Sequence, residues 1–110
     1  MAWRALMVMR MKPEHADPVA ELFAEHDKDD MPTTVGISRR TLFRYHDLYM
    51  HLLEADTDVL GRLLAARDRP DFQHINAKLG DYLERYDPES WRELKDSMAT
   101  PFYTWSPDKE

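Results

Sequence analysis

The stretch FRYHDLYMHLLEAD, from Phe43 to Asp56, constrains the fold of this chain more than any other part of the sequence. Aromatic, β-branched and alternating residues predict one strand from Gly36 to Tyr45 and a second strand from Leu48 to Ala55. Only His46 and Asp47 separate the two segments. Because so short a connection reverses the chain in a tight turn, the two strands are predicted to form an antiparallel hairpin.

The register of this hairpin decides which side chains share a face of the sheet. With His46 and Asp47 as the loop, Leu42 lies opposite His51, and Arg40 lies opposite Leu53. One face then collects Arg40, Leu42, Arg44, Tyr49, His51 and Leu53, and the other collects Thr41, Phe43, Tyr45, Leu48, Met50 and Leu52. A four-residue loop keeps this assignment, whereas a three-residue loop would place Arg40 and His51 on opposite faces.

Helical patterns precede and follow the hairpin. Asp17 and Pro18 predict the N-cap and first residue of a helix that runs to about Asp29 and packs one stripe of residues against the sheet. The stripe consists of Val19, Leu22, Phe23 and His26. After the hairpin, helical spacing predicts one helical segment from Val59 to Pro70 and another from Phe72 to Tyr86.

Two more strands complete a sheet. The N-terminal segment MAWRALMVMRM alternates in polarity, and TPFYTW, from Thr100 to Trp105, predicts the last strand. The order βαββαβ predicts a single α+β domain over residues 1–110 with a ferredoxin-like fold, in which both helices cover one face of a four-stranded antiparallel sheet. A second copy would bury the other apolar face, so we expect a homodimer that forms a dimeric α+β barrel.

The composition argues against several classes of site. A net charge of -6, spread along the chain, argues against the basic patch of a nucleic-acid-binding protein. The absence of cysteine removes disulfides, thiolate metal ligands and cysteine nucleophiles, and it agrees with the cytoplasmic location that we expect. The histidine spacing matches no metal motif, so no metal site is predicted. No apolar run approaches the ~18 residues of a membrane span, so we expect no membrane partner.

The sequence alone leaves open which sheet face meets the helices. The face with Phe43 is the more apolar, and apolarity alone would place it against them. His26, however, lies on the helix stripe that packs toward the sheet, and the more polar face would give it Arg40, Tyr49 and His51 as neighbours. We favour this second arrangement, because it creates an apolar hollow with a few convergent polar groups, which is typical of a small-molecule site.

Each of these polar residues also has a purely structural explanation. His51 can be an ordinary half-buried histidine with a hydrogen bond to a neighbour, and His26 can place a favourable charge at the end of its helix. Arg40 and Arg44 can be solvent-exposed strand residues. The residue types alone therefore leave structural and functional roles open.

Four segments of the chain resemble one family of enzymes. MAWRALMVMRM, ELFAEHD, RRTLFRYHDLYMHLLEAD and FYTW are similar, in residues and spacing, to the tetracenomycin-cyclase-like family of aromatic polyketide cyclases from bacterial type II pathways. The resemblance covers nearly the whole chain. It implies a small ferredoxin-like dimer that needs no cofactor and closes a late ring of a partly cyclised aromatic polyketide. It also implies catalytic roles for His26, which has Asp27 beside it, for Arg40 and for His51.

These residue types suit such a reaction. A neutral histidine can remove the acidic proton of a methylene between two carbonyls, and its protonated form can return a proton to an oxygen. Arg40 stays protonated and can stabilise the developing enolate. We therefore expect His26 and His51 to share acid and base work. Candidate substrate-binding residues are Asp27, Phe23, Tyr49, Tyr103 and Trp105.

Two other functions fit the same residues. A cofactor-independent monooxygenase could act on a polyphenol, because a polyphenolate can itself reduce oxygen, and oxygen uptake would identify it. A non-catalytic carrier would bind the aromatic intermediate tightly without accelerating its reaction.

Overall fold

Helices and strands alternate in a computed structural model that describes residues 3–89, 94–105 and 107. The strands are β1 (Trp3–Met11), β2 (Ile37–Tyr45), β3 (Leu48–Ala55) and β4 (Leu83–Glu84). The helices are α1 (Ala16–His26), α2 (Met31–Val35), α3 (Leu60–Ala65) and α4 (Pro70–Leu79). Among the described residues, every helix is too short or too polar to cross a lipid bilayer.

The strands form one antiparallel sheet in the order β2-β3-β1-β4. Strand β1 pairs with β3 along nearly its whole length, whereas β4 contacts only its end, through Arg10 and Met11. Helices α1 and α4 pack against each other over the sheet. This order of strands and helices is the ferredoxin-like α+β topology, and the predicted fold class is confirmed.

The β2–β3 hairpin has the predicted register. His46 and Asp47 form the connection, and His46 adopts a φ of 53°, in the left-handed region that tight hairpin turns require. Leu42 lies opposite His51, and Arg40 lies opposite Leu53, as the two-residue loop predicts. The side chains of Arg40 and His51 therefore project from the same face of the sheet.

Burial identifies the face that meets the helices. Along β3, buried residues alternate with half-buried ones, and the buried set contains Tyr49, His51, Leu53 and Ala55. Phe43 and Tyr45, on the opposite face, are 48% and 64% exposed. The face predicted from the position of His26 is thus the one that the helices cover. We call it the inward face, and the face with Phe43 and Tyr45 the outward face.

Two apolar clusters hold the helices on the inward face. One cluster, at the α3 end, contains Met7, Val35, Leu53, Ala55, Val59, Leu63 and Ala66. The other, under α1 and α4, contains Met11, Val19, Phe23, Tyr49 and Ile75. Val19, Phe23 and His26 are the buried residues of α1, so the predicted stripe lies against the sheet.

The start of α1 differs from the prediction. A 3₁₀ turn at Pro13–His15 leads directly into the helix, so Asp17 is not the N-cap but part of the first turn. A carboxylate there still stabilises the positive end of the helix dipole. The segment between α1 and β2, for which no helix was predicted, contains the short helix α2.

The prediction for the last strand is wrong. The fourth strand is Leu83–Glu84, a segment predicted to continue a helix to Tyr86, and the residues from Thr100 to Trp105 form no strand. Helix α4 ends at Leu79, and a turn over residues 80–82 leads to β4, where Leu83 pairs with Met11 of β1. Just before the segment from Thr100 to Trp105, Met98 forms an isolated antiparallel bridge with Met7 of β1, and the backbone N–H of Ala99 donates to the carbonyl of Leu6.

Candidate active site

A hollow of about 800 Å³ lies between the inward face and the helices. The sheet lines it with Met7, Met9, Ile37, Arg40, Tyr49, His51 and Leu53. Helices α1 and α4 line it with Phe23, His26, Phe72, Gln73, Ile75, Asn76 and Leu79. Its size falls within the usual range of sites for small organic molecules, and most of its lining is apolar.

Arg40 places a guanidinium inside this hollow. Its Nη2 lies 3.0 Å from Oδ1 of Asp27, and its Nε donates to Oδ2 of the same carboxylate at 3.1 Å. Its Nη1 lies 2.9 Å from Nε2 of His51, and its Cζ lies 4.7 Å from the centre of the Phe23 ring. Only 14% of the side chain is exposed, so Arg40 is not a solvent-exposed strand residue.

His51 lies between two polar groups of the site. Its Nε2 faces Arg40, and its Nδ1 lies 3.2 Å from the hydroxyl of Tyr49. The ring also makes an edge contact with Phe23, with ring centres 5.1 Å apart. Burial, reinforced by the charge of Arg40, lowers the pKa of His51 to about 3. The ring is therefore neutral at physiological pH.

His26 reaches the hollow from the last residue of α1. Burial and the charge of Arg40 lower its pKa, while Asp27, Asp71 and Asp29 act in the opposite direction. Within the described part of the chain, no hydrogen bond engages its ring. His26 therefore combines a neutral imidazole with ring nitrogens that are available to a ligand.

Tyr49 projects from β3 and lines the same hollow as Arg40, His51 and His26. The residue is buried, and its hydroxyl has His51 as its partner. Burial raises the pKa of Tyr49, and the charge of Arg40 opposes this only in part. The phenol consequently remains protonated throughout the range in which the enzyme can work.

Most of the predicted site residues come together. Direct contacts join Asp27, Arg40, His51, Phe23 and Tyr49, and His26 lines the same hollow, where the charge of Arg40 helps to lower its pKa. Asp27 itself does not line the hollow. Asp27 binds the Arg40 guanidinium. Tyr103 and Trp105 are 77% and 70% exposed and do not line the hollow, so their predicted stacking on the substrate has no contact in the protomer.

Sequence reasoning overlooked the contribution of α4. A helical segment was predicted from Phe72 onward, but Phe72, Ile75, Asn76 and Leu79 were not predicted to line the site. The spacing of these residues indicates that they share one face of α4, since residues three and four apart lie on the same side of a helix. No group of three or more histidine and carboxylate side chains that could hold a metal occurs in the described ranges.

The fold and the hollow together define a class of protein, namely a ferredoxin-like protein with ionisable groups in a largely apolar small-molecule site. The family model for polyketide synthesis cyclases matches residues 3–106. The chain belongs to this family, and it is a polyketide cyclase in class.

Individual relatives agree with this family. Tetracenomycin F2 cyclase from Streptomyces glaucescens is 55% identical over 106 residues, which cover 96% of each protein. Polyketide synthase CurG from Streptomyces cyaneus is 36% identical over 104 residues, which cover 94% of this chain and 97% of that protein. A solved structure of tetracenomycin F2 cyclase, a type II polyketide cyclase, is 53% identical and matches with a TM-score of 0.90 over 96% of this chain and 99% of that chain. The predicted family, fold and class of enzyme are confirmed.

Proposed function

We propose that the protein closes a late ring of a partly cyclised aromatic polyketide by an intramolecular aldol-type reaction, followed by dehydration and aromatisation, without a cofactor. One observation carries the proposal: a guanidinium and an imidazole with a lowered pKa line the same largely apolar hollow, and no hydrogen bond to that imidazole ring occurs among the described residues. The guanidinium can stabilise an enolate, and the imidazole can accept a proton. Both roles are needed for this reaction.

We assign the proton transfers to His26. Its ring takes a proton from a methylene carbon between two carbonyls, and the electron pair of the C–H bond passes into an enolate. The lowered pKa favours the neutral ring that this step needs. Both ring nitrogens of His51 lie against other groups, so His51 is the weaker candidate for the shared role that we expected of it.

We assign the stabilisation of the enolate oxygen to Arg40. A guanidinium has five N–H groups, and Asp27 and His51 engage the Nε hydrogen and one hydrogen on each Nη. One N–H on Nη1 and one on Nη2 are left for a substrate oxygen. The fixed charge lies in a largely apolar hollow, where its effect on a developing anion is greater than it would be in water.

The rest of the reaction follows from these two groups. The nucleophilic carbon attacks a carbonyl carbon of the same molecule, which forms a C–C bond and an alkoxide that recovers the proton from His26. His26 then removes a second proton and returns it to the departing hydroxyl, which leaves as water, and the remaining carbonyl enolises to complete the aromatic ring. The hollow contributes by holding the two carbons close together, and its shape selects the ring that forms.

Product analysis tests this proposal. Purified protein is incubated with polyketide intermediates that differ in the ring still open, with and without oxygen, and the products are followed by chromatography and mass spectrometry. We expect faster loss of one water from one intermediate, equally with and without oxygen. Incorporation of an oxygen atom with oxygen uptake would instead indicate a monooxygenase. Tight binding without acceleration would indicate a carrier.

We also propose that the protein is a homodimer that acts in the cytoplasm. Exposed aromatic side chains support the dimer: Phe43 and Tyr45 on the outward face, and Phe102, Tyr103 and Trp105 in the C-terminal segment. Burying such groups against a second copy would remove apolar area from water. Sedimentation equilibrium over a range of protein concentrations tests the dimer, and cell fractionation tests the location.

A further inference from the structure

The hydrogen bonds around His51 fix the position of its proton. A guanidinium can only donate, since none of its nitrogen atoms has a lone pair available. At 2.9 Å from Nη1 of Arg40, Nε2 of His51 must therefore be the acceptor and carries no hydrogen. An imidazolium, or the other neutral tautomer, would bring two N–H groups together at this distance and is excluded.

This tautomer orients the hydroxyl of Tyr49. A neutral histidine carries one ring hydrogen, which here must be on Nδ1. Nδ1 therefore donates to the Tyr49 oxygen across 3.2 Å, and the phenol accepts. A phenol that accepts this bond keeps its own hydrogen for a different partner, and no other hydrogen bond to Tyr49 occurs among the described residues.

A ligand in the hollow can supply the partner for this hydrogen. Tyr49 lines the hollow beside Arg40 and His26. We propose that the Tyr49 hydroxyl donates a hydrogen bond to the substrate oxygen on which negative charge develops, and that His51 is a positioning residue that holds this donor and takes no part in proton transfer. The inference deepens the cyclase function proposed above and depends on it for the identity of the substrate.

The same network explains why His51 is a poor base. Its one free lone pair, on Nε2, points at the Arg40 guanidinium, and a proton arriving there would have to displace that contact. Burial also holds the pKa of His51 far below that of a free histidine. Arg40, His51 and Tyr49 thus form a relay of hydrogen bonds that runs in one direction and ends at the ligand.

Nuclear magnetic resonance tests the tautomer without any substrate. Long-range proton–nitrogen spectra of protein with nitrogen-15-labelled histidine distinguish the two neutral forms and the imidazolium, and the spectrum of His51→Asn assigns the His51 signals. We expect the Nδ1–H form from about pH 5.5 to about pH 8, a range that spans the pKa of free histidine. A proton on Nε2, or titration of His51 within that range, would overturn the inference.

Steady-state kinetics test the donor. Tyr49→Phe keeps the buried ring and removes only the hydroxyl, so we expect kcat to fall about 10²-fold with a KM change below about 3-fold, as for loss of one oxyanion donor. The shape of the pH–rate profile should stay unchanged, because Tyr49 donates a hydrogen bond and transfers no proton. Tyr45→Phe, on the outward face, is the matched control. A kcat for Tyr49→Phe within about 3-fold of wild type would refute the donor role.

A conservative replacement tests the positioning role. The side-chain amide of His51→Asn can place an N–H near the position of Nδ1, whereas His51→Leu cannot. We expect kcat of His51→Asn to exceed that of His51→Leu by about 10-fold, a gain that a purely structural role would not give. Equal kcat values for the two variants would contradict the positioning role of His51.

Binding separates this inference from the proposed function. If the wild-type protein closes no ring, the cyclase proposal fails, but the donor can still be tested with the polyphenol naphthoresorcinol by calorimetry. We expect Tyr49→Phe to bind it about 10-fold more weakly than wild type, as for one lost hydrogen bond. Equal affinities would refute the donor independently of any reaction.

Discussion

The inward and outward faces of the β2–β3 hairpin depart from the usual polarity of an antiparallel sheet. Such a sheet normally buries apolar side chains and leaves polar ones in water. Here the inward face covers a guanidinium, an imidazole and a phenol, whereas the outward face leaves Phe43 and Tyr45 largely exposed. Along β3, alternate residues thus have different environments.

The difference between the two faces reflects two requirements, one for a chemical site and one for association. Burying a charged group costs free energy unless its hydrogen bonds are satisfied, and a purely structural core would do better with apolar residues. The inward face bears this cost at Arg40, which is compensated by Asp27 and His51. The comparison therefore assigns chemistry to the inward face and association to the outward face.

Among the variants of the two faces, replacement of Arg40 should have the largest effect on activity. We expect Arg40→Ala to lower kcat about 10³-fold, because the enolate loses its fixed positive charge. The free energy of unfolding should fall by only about 2 kcal/mol, because the partly exposed Asp27 can turn to water. The control is Arg39→Ala, the neighbouring residue opposite Glu54, which should leave kcat within about 2-fold of wild type. Unchanged cyclisation by Arg40→Ala would remove Arg40 from the mechanism.

Replacing His26 tests the group that faces the inward residues from α1. We expect His26→Asn to lower kcat about 10²-fold, because no other free imidazole lines the described hollow. The decline of kcat/KM at acidic pH, caused by protonation of the base, should disappear from the pH–rate profile. His46→Asn is the matched control, since asparagine tolerates the positive φ of that turn. An acidic limb that survives in His26→Asn would assign the base elsewhere.

The buried neutral state of His51 predicts a pH-dependent stability. Its folded pKa is about 3, whereas the unfolded chain binds a proton near pH 6.5, so the unfolded state takes up more protons between these values. The contribution of His51 to the free energy of unfolding is therefore fully present above about pH 6.5. It falls as the pH decreases, by about 2 kcal/mol at pH 5. Urea unfolding at several pH values measures this change in the free energy of unfolding. In His51→Asn, the free energy of unfolding should no longer show the part of its pH dependence that comes from His51. Identical slopes for both proteins would contradict a buried neutral His51.

The outward face should give the smallest effect. If Phe43 and Tyr45 contact a second copy, Tyr45→Thr should raise the dimer dissociation constant by about 10-fold and retain a good strand former. At protein concentrations where the dimer persists, kcat should stay within about 2-fold of wild type. A wild-type protein that is monomeric at every concentration would refute the assignment of association to this face.

The hairpin could be predicted to the residue because its loop is short. Two residues between two alternating segments fix the register, and the register fixes which side chains share a face. The position of His26 on an amphipathic stripe then selected the inward face. These are local properties of the sequence, and they favoured the arrangement in which His26, Arg40 and His51 lie near one another.

The end of the chain shows where local patterns fail. Leu83 continues the helical spacing of α4, but a strand of two residues is too short to show any alternation, and its pairing with Met11 is a long-range contact. The aromatic residues from Phe102 to Trp105 favour strands, yet a strand needs a partner, and strand preference depends on that context. Likewise, the direction of the hydrogen bonds at His51 depends on rotamers that no spacing reveals.

The three contacts of Arg40 affect when its side chain becomes ordered. A free arginine side chain carries about 2 kcal/mol of rotamer entropy, which must be lost before its charge can meet a substrate at a defined place. Asp27, His51 and the ring of Phe23 already restrict this side chain in the folded protein. The entropy is thus lost when the chain folds, and the free energy of substrate binding remains available for bending the polyketide toward ring closure.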